Sequence, residues 1–214
     1  MSDQTDTPAT PEEEWPPQNV FIIDTGNKDG KGATVGLFGN LDEDQLVEVV
    51  QGLTRIYERE VPANVNENGE EEAPPPPVPI NFYISTWGGD VLGMFAIYDL
   101  MRHVQSKYEI HTFGLGKVMS AGVLLLASGT KGERKIGRNT RLMLHSVQGG
   151  HFGSLSTLEN EMEEARWLQA RMIAALVAET NLTKRQIQKM LDKKVDVYID
   201  AEEALEFGIA DIII

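Results

Sequence analysis

Residues 114–129 read GLGKVMSAGVLLLASG, and the placement of this stretch decides the fold. A helix here has apolar residues on every side, so it lacks a solvent face and belongs in the core. Ser120 interrupts the apolar run at its entrance, between Gly116 and Gly122. The start of a helix exposes unpaired backbone N–H groups and a partial positive charge. A serine at that point either caps the helix or presents its oxygen beside amides able to stabilise an oxyanion.

Outward from this stretch the chain alternates strands with helices. EIHTFGLG is the strand that leads into the Ser120 helix, and INFYIS leads through TWGGD into an apolar helix over 91–101. RLMLHSV leads through the glycine-rich QGGHFGS to a long amphipathic helix over 155–180. A helix over 183–191, the strand VDVYI, the helix DAEEALEFG and the strand IADIII follow. Upstream, NVFIID and TVGLFG read as strands, and Asn40 or Asp42 caps a helix whose stripe includes Leu46, Val49, Leu53 and Ile56. Such alternation with apolar strands predicts an α/β fold, a mostly parallel sheet covered by helices.

The 214 residues suffice for one such domain, expected over 20–214. Residues 1–19, acidic and proline-bearing, are expected to be a disordered tail. Residues 61–79 hold glutamates 70–72 and prolines 74–77, which predict a solvated loop ending in a polyproline II arm. The net charge of −14 argues against nucleic acid or an anionic membrane as partner. The absence of cysteine excludes disulfides and thiolate catalysis. No apolar run approaches the roughly 20 residues of a membrane helix. The N-terminus lacks the pattern of a secretory signal, so a cytoplasmic location is expected. His103, His111 and His151 show no metal-ligand spacing, and neither a metal nor another cofactor is expected.

Serine is a poor nucleophile alone and needs a base that is itself oriented by an acid. His145 comes from the end of an apolar strand, where the sites of parallel sheets collect. Asp192, Asp196 and Asp200 lie downstream and are all candidates for the acid by distance along the chain. Gly88 and Gly89 form a second glycine turn opening a helix, which brings backbone amides close to whatever binds.

TWGGDVLGMFAIYDLM, GLGKVMSAGVLLLASGTKGERKIGRNTRLMLHSVQGG and DVYIDAEEALEFGIAD resemble the ClpP family, the proteolytic subunits of Clp proteases. The resemblance runs over 35–214 apart from the acidic insert. It implies the ClpP/crotonase-type fold with a protruding handle of strand plus long helix, and peptide-bond hydrolysis in unfolded polypeptides. It implies Ser120 as nucleophile, His145 as general base, Asp196 as orienting acid, and the amides of Gly89 and Ala121 as oxyanion donors. It also implies a homo-oligomer of stacked rings fed by an ATP-driven unfoldase. Asp196 further stands at the start of an apolar strand, where a carboxylate is costly without a hydrogen-bonded partner.

The chain departs from the family pattern at several points. Thr86-Trp87 replaces a common Ser-Pro before the glycine pair, which alters the substrate cleft. Lys117 replaces an uncharged residue at the mouth of the site, where it is either solvated or favours acidic substrates. Ser146 and Val147 follow His145 where relatives carry Gln-Pro, and Lys194-Val195 replaces an Asp-Arg pair. Rival readings are a non-catalytic ring subunit, a phage-type head-maturation protease of related fold, and a crotonase-like acyl-CoA enzyme. The intact Ser120, His145 and Asp196 count against the first, and the presence of both Ser120 and His145 counts against the last.

Overall fold

A computed structural model describes residues 20–23, 32–59, 64–65, 71–72, 77–150, 152–192 and 195–214. The chain enters on β1 (Val20–Ile23) and β2 (Thr34–Leu41), an antiparallel pair. Asp42 then caps α1 (Glu43–Glu58) by accepting from the Asp44 and Gln45 amides, which selects Asp42 over Asn40 as the cap. The expected stripe forms: Val49, Leu53 and Ile56 of α1 are fully buried.

The insert departs from expectation in one respect. β3 (Asn64–Val65) and β4 (Glu71–Glu72) pair antiparallel in a small sheet of their own. Glu71 and Glu72, expected in an irregular loop, therefore take part in a ladder. The tail 1–19 and the prolines 74–76 lie outside the described residues.

β5 (Ile80–Gly89) leads to α2 (Val91–Val104), and β6 (Ile110–Met119) leads to α3 (Ala121–Ala127). The short β7 (Lys135–Ile136) and β8 (Arg141–Leu144) precede the long α4 (Leu155–Glu179). α5 (Lys184–Leu191), β9 (Val197–Ile199), α6 (Ala201–Glu206) and β10 (Ile212–Ile213) close the chain. The main sheet runs β1-β2-β5-β6-β7-β10, with β8 branching from β6 and carrying β9 at its edge. All pairings except β1–β2 and β8–β9 are parallel within it.

Ile80, Phe82 and Ile84 on one face of β5 are fully buried, while the intervening Asn81, Tyr83 and Ser85 are only half-buried. The sheet is thus mostly parallel as expected, with its core on one face and the other half-covered. All seven residues of α3 are buried, as its lack of a polar face requires. Arg134, only 4% exposed, cross-links this core. Its guanidinium donates to the carbonyls of Ala127, Glu179 and Gly208 and pairs with Asp211 at 2.6 Å.

α4 divides into two halves. Leu168, Met172, Ile173 and Leu176 are buried in the core, whereas no residue from Leu155 to Trp167 is buried. Leu155, Leu158, Met162 and Trp167 are left exposed on that first half. The described residues of QGGHFGS, 148–150 and 152–154, form no strand, so the strand part of the expected handle has no ladder within a single chain. A strand needs a neighbouring strand to bond, and none among the described residues pairs with it.

Candidate active site

The site is assembled where β6 changes partners. Its first half pairs β7 through Phe113 and Gly114, and its second half pairs β8 through Lys117, Val118 and Met119. The β5–β6 register slips between the two halves, from Ile84–Gly114 to Thr86–Val118. The extra residues of β6 form a bulge at Gly116, whose φ of 66° suits glycine. Thr140 braces it: its Oγ1 accepts from the Gly116 amide at 3.0 Å and donates to the Gly114 carbonyl at 3.2 Å.

Past the bulge, β6 ends at Met119 and α3 begins at Ala121, so Ser120 is the whole turn between them. Its backbone has φ 53° and ψ −115°, and among the described residues it alone takes positive φ without being glycine. Such strain costs on the order of 1–3 kcal/mol and persists only where the surroundings impose it. The Ser120 amide donates to the Met143 carbonyl at 2.8 Å, and the Ser120 carbonyl accepts from the Val123 amide at 3.0 Å. Ser120 thus occupies the N-cap position, yet its side chain makes no capping bond. The capping alternative left open by the sequence fails on that point, and the hydroxyl remains available.

A second turn faces it. Gly88 and Gly89 have φ of 88° and 155°, and a Cβ on Gly88 would come within 2.6 Å of the Ser120 Cβ. A Cβ on Gly89 would collide with the Leu41 carbonyl. Thr86, fully buried, holds this turn by accepting from the Gly88 amide at 3.0 Å and donating to the Gly39 carbonyl at 2.7 Å. In the sequence Thr86 stands out only as a departure from the family pattern. Its signal was a small polar residue in an apolar strand, which needs a partner wherever it is buried. Asp90 then caps α2 by accepting from the Gly93 amide.

A cavity of about 330 Å³ lies between the two turns. Gly89, Ser120, Ala121 and His145 line it, with Trp87 at one side and Met172 of α4 at another. Four of the five candidate residues are therefore brought to one space. Ala121 is the first residue of α3, where an N–H has no intrahelical acceptor.

Asp196 is not among the lining residues, and its side chain is exposed. It nevertheless stands next to His145 in register. β8 and β9 pair Met143 with Tyr198 and Leu144 with Val197, so the next step of the ladder opposes His145 and Asp196. The His145 Nδ1 contacts the Ser146 carbonyl at 2.6 Å instead. Among the described residues no hydrogen bond joins His145 to Asp196 or to Ser120. Asp200 caps α6 by accepting from the Glu203 amide at 2.8 Å, and Asp192 is the exposed C-cap of α5. Neither lines the cavity.

A family model described as Clp protease matches residues 71–214, which include every candidate site residue. The chain belongs to the Clp protease family. Two relatives from Prochlorococcus marinus, one from strain MIT 9312 and one from subspecies pastoris strain CCMP1986 / NIES-2087 / MED4, bear the same description. Each is an "ATP-dependent Clp protease proteolytic subunit 1", 36% identical over 143 residues, 67% of this chain and 71% of the relative. As a Clp protease chain, it is a serine-type peptidase. Among the described residues no helix is long and apolar enough to cross a membrane.

Proposed function

We propose that this Clp protease chain hydrolyses peptide bonds of unfolded polypeptides with Ser120 as nucleophile, His145 as general base and Asp196 as orienting acid. The observation that carries the reading is Ser120 itself: a strained turn residue whose hydroxyl caps nothing, in one cavity with His145, Gly89 and Ala121. In this reading Ser120 Oγ attacks the scissile carbonyl while His145 Nε2 takes its proton. Negative charge develops on the carbonyl oxygen between the Gly89 and Ala121 amides, where preorganised donors act most strongly. His145 then protonates the leaving amine, and water repeats the cycle on the acyl-enzyme. The His145 ring exchanges the Ser146 carbonyl for the Asp196 carboxylate, which the ladder register sets opposite it.

The chain works as a subunit of stacked rings in the cytoplasm, supplied by an ATP-driven unfoldase. Leu155, Leu158, Met162 and Trp167, exposed on a half-helix that buries nothing of its own, supply an apolar surface for such contacts. The contact of His145 Nδ1 with Ser146 favours a second reading, a ring subunit that does not itself cleave.

Labelling with a fluorophosphonate probe, read beside particle size on a sizing column, separates the two. Modification of Ser120 in a ring-sized particle, absent from Ser120→Ala, supports the peptidase. A ring-sized particle whose Ser120 stays unmodified, and which cleaves no peptide, supports the non-catalytic subunit.

A further inference from the structure

On the sheet face that carries His145, two cations stand in register with no ion pair for either among the described residues. Lys117 of β6 and Arg141 of β8 are directly paired in the parallel ladder, so both side chains leave the same face. Like charges placed opposite one another across strands are destabilising. The chain carries 33 acidic against 19 basic residues, so carboxylates to neutralise the pair are not scarce. Yet among the described residues neither the Lys117 nor the Arg141 side chain makes an ion pair or a hydrogen bond. Each lies instead over an aromatic ring: Lys117 Nζ is 4.9 Å from the Trp87 centroid, and the Arg141 guanidinium carbon is 5.8 Å from that of Tyr198.

The carboxylates that the ladder or the cavity sets near them make no ion pair with either cation among the described residues. Asp200 opposes Arg141 one step beyond the Leu142–Ile199 pair, and its carboxylate caps α6. Asp90 lines the cavity and caps α2. Asp196 opposes His145 in the same ladder.

Neither cation lines the cavity itself, but both leave the sheet on the face that carries His145. Leu142 and Leu144 of β8 point into the core, which puts Arg141, Met143 and His145 on the opposite side of the strand. Trp87, 60% exposed, lines the cavity that holds Ser120 and carries the Lys117 ammonium at its rim. A ring face attracts an ammonium but leaves its remaining N–H donors free for an incoming oxygen.

We propose that Lys117 and Arg141, seated on Trp87 and Tyr198, form a subsite that selects polypeptides carrying an acidic side chain next to the scissile bond. The substrate carboxylate supplies an anion that neither side chain has among the described residues. The proposal rests on the reading of Ser120 as nucleophile. The subsite also counters the long-range repulsion that a net charge of −14 exerts on an acidic chain.

The test uses the full-length assembled protein and matched short fluorogenic peptides with Glu, Gln or Lys on either side of the cleaved bond. The expected result is a kcat/KM for the Glu peptide about fivefold above that for the Gln peptide, shrinking as salt is raised. Lys117→Gln and Arg141→Gln should each reduce that ratio, and Lys117→Glu should turn the preference toward the Lys peptide. Loss of packing alone would not reverse a charge preference. Fluorophosphonate labelling of Ser120 is read in parallel. If Ser120 labels and the Glu and Gln peptides are cleaved equally, the subsite is overturned while the peptidase reading stands. If Ser120 does not label and no peptide is cleaved, both fall.

Discussion

The backbone amide of Ser120 donates to the carbonyl of Met143 at 2.8 Å, two residues before His145. That bond extends the β6–β8 ladder by one step, so the spacing of candidate nucleophile and base is set by sheet pairing. Two side chains of 25 residues' separation in sequence thereby share a rigid support, which is what precise positioning demands.

The first expectation follows from the strain at Ser120. Ser120→Ala should abolish probe labelling and peptide turnover by several powers of ten while the fold is kept. Ser120→Gly should be equally inactive but about 1 kcal/mol more stable than Ser120→Ala, because glycine accepts a φ of 53° without a Cβ clash. Chemical denaturation of the two variants checks this. Equal stability would mean that the turn is not strained.

Gly88 tests the other side of the cavity. Gly88→Ala puts a methyl 2.6 Å from the Ser120 Cβ and 2.9 Å from the Met119 carbonyl, at a φ of 88°. Relief requires the Ser120 turn to move, so labelling should fall at least tenfold and stability by about 1–3 kcal/mol. Labelling kinetics and a thermal melt report both. Normal labelling would show that the two turns do not constrain each other.

The three aspartates should separate by role. Asp196→Asn is expected to fold and assemble but lose most turnover, because an amide cannot stabilise protonated His145 as a carboxylate does. Asp200→Asn should affect neither strongly, since asparagine still caps α6, whereas Asp200→Ala should cost about 1 kcal/mol of stability. Asp192→Asn should resemble the parent protein. Measuring kcat and thermal stability across the set decides it. Full turnover in Asp196→Asn, with loss in a neighbour, would transfer the acid role.

Asp211 gives a pH dependence. Burial by itself would raise its carboxyl, but the hydrogen bonds and charge of Arg134, with the Gly132 amide, hold it below the ordinary range. A depressed folded-state value contributes stability that is complete above the unfolded value of about 3.9 and is lost as pH falls through the folded one. The melting temperature should therefore drop on acidification below about pH 4, and the drop should be shallower in Asp211→Asn. At neutral pH, Asp211→Ala leaves the 4% exposed Arg134 uncompensated, a loss of about 3 kcal/mol. Melts across acid and neutral pH test both. Parallel pH curves for the two proteins would remove Asp211 from the acid limb.

Much of the fold is written locally. The apolar alternation of β5, the all-apolar α3 and the caps at Asp42, Ser154, Thr183 and Asp200 each depend on residues within a few positions of one another. The positions of Ser120, His145 and the Gly88-Gly89 turn at element ends are legible for the same reason, whereas the donor role of the Gly89 and Ala121 amides is implied only by the family resemblance. The two-residue β7 was not, because a ladder that short carries no period of its own. The braces Thr86 and Thr140 were also hidden, since their partners lie 47 and 24 residues away. Which face His145 shares with Arg141, and which residue at the β9 edge stands opposite it, is decided by strand register. A slip of one residue would turn every one of those side chains to the other face. Register is a property of two strands packed on a common core, so it exists only in the folded chain. The sequence by itself determined the pieces of this site and their chemistry, and the sheet decided how they meet.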